Sequence, residues 1–115
     1  MKYNYASEKL GSAVLYAMRS DERLQERLHG CYVTFHTLAH HDDHLPPDLR
    51  KRFDEMIHAW TRLPDPEGSR GTVAVTTARM SDDEARKWLE EVFSLYSEIE
   101  RREALENGKA LGAAR

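Results

Sequence analysis

Residues 24–38 run Leu24-Gln25-Glu26-Arg27-Leu28-His29-Gly30-Cys31-Tyr32-Val33-Thr34-Phe35-His36-Thr37-Leu38. The apolar members Leu24, Leu28, Cys31, Phe35 and Leu38 are spaced 4-3-4-3, which is the period of one helix face and not the alternation of a strand. Two other stretches repeat the pattern. Leu49, Phe53, Met56, Trp60 and Leu63 form one, and Ala85, Leu89, Val92, Tyr96 and Ile99 form the other, with Trp88 and Phe93 beside it. Three apolar stripes of this kind bury themselves against one another, so the expected fold class is all-α.

Working outward, the helix around Cys31 is expected from Ser20, an N-cap followed by Asp21 and Glu22, to about Asp42. Pro46 disfavours helix at Leu45, and Pro47 suits the first turn of a third helix that Pro64 stops near Leu63. Upstream, Asn4 to Arg19 places Leu10, Val14 and Ala17 on one side with Tyr3, Ala6 and Ala13, although Gly11 weakens it. Asp65 to Gly71 reads as a loop. Thr72-Val73-Ala74-Val75-Thr76-Thr77 alternates and is β-prone, which predicts an extended segment across the bundle or an edge for dimer pairing. Ser81-Asp82-Asp83-Glu84 is a capping box that opens the last helix, expected to reach about Glu106 and stop at Asn107-Gly108. The expectation is a small antiparallel bundle of four helices, with an extended segment at about 72–77 before the last one. It forms a single domain over 1–106, with 107–115 as a flexible tail.

Composition narrows the function classes. The chain has 115 residues, with 17 Lys and Arg against 20 Asp and Glu. The resulting charge of −3 offers no basic face for nucleic acid. The longest apolar run, Ala13 to Met18, falls far short of the ~20 residues that span a bilayer. No apolar h-region follows Met1, which argues against a signal peptide. The single cysteine, Cys31, has no disulfide partner and fits a reducing cytoplasm. It lies on the apolar stripe, where a buried inert thiol is expected. Trp60 and Trp88 read as core, and Arg50-Lys51-Arg52, interleaved with Asp48, Asp54 and Glu55, reads as a solvated, ion-paired face.

The chemistry-bearing feature is histidine. There are six, and five lie between His29 and His44, so full protonation would turn the charge from −3 to +3. On a continuous helix His29, His36 and His40 fall at about 140°, 120° and 160° from Leu24, with His44 at about 200°. His36, His40 and His44 would then follow one another at i, i+4 and i+8. An i, i+4 pair can hold zinc or another divalent metal, but i and i+8 lie roughly 12 Å apart along one axis. A complete site would need carboxylates or His58 from elsewhere. The plainer reading is a solvated histidine face whose imidazolium complements a helix C-terminus.

No catalytic motif is found: Thr37 stands where a zincin needs glutamate, and no Gly-rich phosphate loop or Gly-x-Ser-x-Gly elbow occurs. The expected function is therefore that of a small soluble helical protein of bacterial type. It works through protein–protein contacts without catalysis or cofactor, and a second copy of itself is one candidate partner. The aromatic side formed by Tyr3, Tyr5 and Tyr16 is a candidate contact patch. The alternative is a metal-binding or metal-dependent protein built on His36, His40 and His44. A third is association that responds to histidine titration.

Overall fold

The computed structural model describes residues 2–40 and 42–113 and is helical throughout, with no strand among these residues. The order is α1 (Asn4–Arg19), α2 (Leu24–Phe35), two 3-10 turns (His36–His40 and Asp42–His44), α3 (Pro47–Trp60), α4 (Thr72–Ala78) and α5 (Asp82–Ala113). Among the described residues there are five α-helices where four helices were expected.

The additional helix is α4, which replaces the extended segment expected at 72–77. A lone strand leaves its backbone N–H and C=O groups unpaired, whereas a helix satisfies them internally. The same residues also contain a helical face, because Val73, Thr76 and Thr77 at i, i+3 and i+4 are the buried ones. Helix geometry lets the Thr77 hydroxyl donate to the Val73 carbonyl at 2.9 Å. The buried Thr76 hydroxyl accepts the Leu63 N–H at 3.1 Å. Gly71 begins the turn with φ at +88°, a conformation few residues other than glycine adopt. The Asp65 carboxylate holds that loop by accepting the N–H groups of Arg70 and Gly71.

The helix around Cys31 is shorter than its stripe suggests. Ser20 does not cap it: its hydroxyl accepts the Glu22 N–H in a turn, and α2 begins at Leu24. At the other end the α-ladder gives way to 3-10 turns after Phe35. A continuing α-helix would hand the Leu38 and Ala39 carbonyls to residues 42 and 43. Instead Arg50, reaching back from α3, donates to both. Arg50 is thus more than a solvated charge, although it also pairs with Asp54 at 3.0 Å, and Arg52 pairs with Glu91 at 2.6 Å.

The core collects the three stripes: Leu28, Cys31 and Phe35 from α2, Leu49, Phe53, Met56 and Trp60 from α3, and Ala85, Val92 and Ile99 from α5. To these α1 adds Ala6, Leu10 and Ala13, so its buried line runs one step aside from Val14 and Ala17, which are half-buried. Phe35 sits at the centre, edge-on to Phe53 at 5.3 Å and stacked on Trp60 at 5.9 Å. Helix α2 packs against α1, α4 and α5. Its buried Gln25 donates to the Met80 carbonyl and to Asp82, both at 2.9 Å, which ties α2 to the α4–α5 junction.

Two glycines make the closest helix approaches. A Cβ on Gly30 would stand 2.1 Å from the Tyr16 ring, and one on Gly11 would stand 2.9 Å from Tyr96.

Helix α5 starts as its capping box requires, with the Ser81 hydroxyl accepting the Glu84 N–H at 3.1 Å. The Glu84 carboxylate turns outward to Arg62 and leaves the box half-made. Asn107-Gly108 does not stop the helix, which continues to Ala113; residues 114 and 115 of the expected tail lie outside the described residues. Residues 104–108 are all exposed, so this end runs past the bundle. That overhang accounts for a radius of gyration of 15.6 Å, where a rounded domain of this length has about 13 Å.

One ion-pair group responds to acid. Arg102 makes a two-pronged contact with Asp48, at 2.9 and 2.5 Å, and also donates to Glu98, which Arg101 contacts from the other side. Hydrogen bonds from Arg102 hold the Asp48 carboxyl down to about 2, and those from Arg101 and then Arg102 do the same for Glu98. Both carboxyls titrate near 4 when unfolded, so folding favours their ionised forms. Their contribution is complete above about pH 4 and is lost as pH falls toward 2. The stability difference between wild type and Arg102→Gln should therefore shrink toward zero across that window. Urea titrations at stepped pH measure it, and a constant difference would contradict it.

Candidate functional site

Among the described residues the histidines do not form a cluster. In a 3-10 turn, residues four apart are about 120° apart around the axis, where an α-helix would bring them to within about 40°. His36 and His40 share one such turn, and both are exposed. The His36 Nδ1 lies 2.9 Å from the Val33 carbonyl, and its ring is 5.9 Å from that of Tyr32. His44 is half-buried with its ring 4.6 Å from Tyr5. Among the described residues no group of three or more His, Cys, Asp or Glu side chains could hold a metal ion. The expectation of a shared strip rested on a straight helix, and Arg50 belongs to the interaction that ends it.

Other candidates resolve simply. Cys31 is buried, donates to the Ala13 carbonyl at 3.5 Å, and burial pushes its thiol up to about 12, so almost no thiolate forms near neutral pH. Trp60 is wholly buried; Trp88 is half-buried with the Lys87 ammonium 5.1 Å above its ring. Tyr3, Tyr5 and Tyr16 pack partly against the core, so they do not form an open aromatic patch. A hollow of about 630 Å³ lies along the outside of α3 between Pro47 and His58, and none of the described side chains lining it is buried.

The apolar surface lies elsewhere. Between α1 and α5 a groove of about 360 Å³ is floored by Val14, Ala17, Leu89 and Val92. Met18 and Phe93 also line it, and they are 75% and 56% exposed. Arg27, Arg86 and Glu90 complete the groove with both signs of charge. Sequence spacing placed Phe93 beside the buried stripe. In the structure α5 turns Val92, Leu95 and Ile99 inward, which leaves Phe93 outside. The signal was present as two aromatic or apolar neighbours too many for one stripe, but which of them lacked a covering helix depended on tertiary packing. No protein family, curated protein or solved structure matches the chain.

No helix among the described residues is long and apolar enough to cross a membrane.

Proposed function

We propose that the protein works through protein–protein contact and that its first partner is a second copy of itself, joined across the α1–α5 groove. The observation that carries this reading is the exposure of Met18 and Phe93 beside an apolar floor. A two-fold interface presents the same patch twice, so that patch must supply both projection and recess. This one does, and it also carries Arg27 and Arg86 together with Glu90, so each copy can offer either sign to the other. Size is adequate. A face two helices wide and as long as α1 projects roughly 500 Å², and its corrugated accessible area approaches the ~800 Å² per partner of a standard interface.

Sedimentation equilibrium tests the reading. The wild type should show twice the 13.3 kDa chain mass in the micromolar range, and Phe93→Asp should return it to the single mass with its helicity intact. Because none of the described residues lining the groove is a histidine, association should persist from about pH 8 to about pH 5. A wild-type monomer, or a Phe93→Asp dimer, would overturn the assignment.

A further inference from the structure

Met18 brings to the α1–α5 groove a reactive atom that its apolar neighbours lack. It stands in the last turn of α1, lines the groove and is 75% exposed, more than any other large apolar side chain among the described residues. The groove floor, Val14, Ala17, Leu89 and Val92, is saturated hydrocarbon and inert to mild oxidants. A thioether is not inert, because its sulfur takes up oxygen to become a sulfoxide.

The other described sulfurs are out of reach. Met56 and Met80 are 0% and 4% exposed. Cys31 is buried, and burial keeps it a thiol near neutral pH, the unreactive form. Met1 lies outside the described residues. Of the described sulfurs, the one an oxidant meets first on the folded chain is therefore Met18.

Resting on the reading that this groove joins two copies, we infer that Met18 is an oxidation site whose sulfoxide opposes that association, with hydrogen peroxide or another small hydroperoxide as the oxidant. The Met18 sulfur lone pair takes one peroxide oxygen, so that an S–O bond forms as the O–O bond breaks. The proton on the transferred oxygen passes to the departing hydroxide, which leaves as water. Sulfur loses two electrons and the peroxide gains them. The side chain keeps its length and acquires a strongly polar oxygen.

On the free chain that oxygen faces water. In a two-fold interface it is pressed against apolar side chains, and each copy contributes one such oxygen. The two guanidiniums of the groove are engaged elsewhere, Arg27 with the Glu22 carbonyl and Arg86 with Asp83. Association in turn covers the sulfur, so the free chain is the species that reacts. Oxidised chains are withdrawn from the equilibrium, and enzymatic reduction of the sulfoxide returns them.

The test treats the full chain with excess hydrogen peroxide, locates added oxygen by peptide mass mapping, and reads mass in solution by sedimentation equilibrium. Conversion of Met18 should precede that of Met56 and Met80. It should raise the dimer dissociation constant by roughly a hundredfold or more, with helicity intact. The rate of Met18 oxidation should fall as protein concentration rises. Met18→Leu should remain a dimer before and after peroxide, and Met18→Gln, with a polar oxygen already in place, should be monomeric without it. Persistence of the dimer after complete Met18 oxidation, equal dissociation of Met18→Leu by peroxide, or earlier oxidation of Met56 and Met80 would overturn this assignment alone. An untreated wild type that is monomeric would overturn the two-copy reading, and the role of Met18 with it.

Discussion

Phe35→Ala is expected to lower the free energy of unfolding by about 3–5 kcal/mol, the usual range for removing a buried aromatic. Phe35 has no exposed surface, and its ring meets Phe53 edge-on and Trp60 face to face. These partners belong to α3, so the ring joins the end of α2 to the next helix. Alanine would leave a void walled by two rings that are themselves fully buried and cannot swing inward without opening gaps behind them. In a domain stabilised by about 5–15 kcal/mol, the loss would be a large part of the total. Urea unfolding measures it as a lower midpoint at unchanged slope. Val33→Ala makes the comparison, since Val33 is 57% exposed two residues earlier and should change stability by no more than about 0.5 kcal/mol. If the two variants behaved alike, the central place given to Phe35 would be wrong.

The second large effect concerns Arg50. Its guanidinium donates to the carbonyls of Leu38 and Ala39, and it lies 5.8 Å from the centre of the Phe53 ring. Hydrogen bonds from a charged donor contribute about 1.5–3 kcal/mol each, and Arg50 makes at least two to backbone besides its ion pair with Asp54. Arg50→Met keeps most of the apolar stem and removes the charged head. It should cost about 2–3 kcal/mol, since water replaces part of what is lost. Location matters more than size here. Amide exchange should accelerate across residues 36–44 and remain slow in α1 and α5. Uniform acceleration, or none, would show that the 3-10 turns do not depend on Arg50.

Arg50 also explains where sequence reading stopped. The 4-3-4-3 stripes identified Leu28, Cys31, Phe35, Phe53, Met56, Trp60, Val92 and Ile99 as interior residues, and the structure buries them all. Periodicity works there because a side chain's neighbours three and four residues away share its fate. It does not register a contact from twelve residues downstream, so the break at His36 was invisible and three histidines were aligned on a helix that ends before them. The same limit applied at Thr72–Thr77. β-branched residues favour strands only where a strand has partners, and with none the helix that buries Val73, Thr76 and Thr77 prevails. The candidate site was harder still. Phe93 becomes exposed only through the placement of other helices. That does not follow from the residue type.

The notches at Gly30 and Gly11 carry a consequence for how this chain can change over generations. Each is half of a two-part fit, completed by Tyr16 or Tyr96 from a neighbouring helix. Adding a methyl group to either glycine while its tyrosine stays put would force the helices apart. Shrinking the tyrosine alone would leave a hole. The two positions of each pair are therefore energetically coupled, and their separate effects will not add. Lineages descended from this chain should keep both members or exchange them together, 11 with 96 and 16 with 30, as a lock is recut with its key.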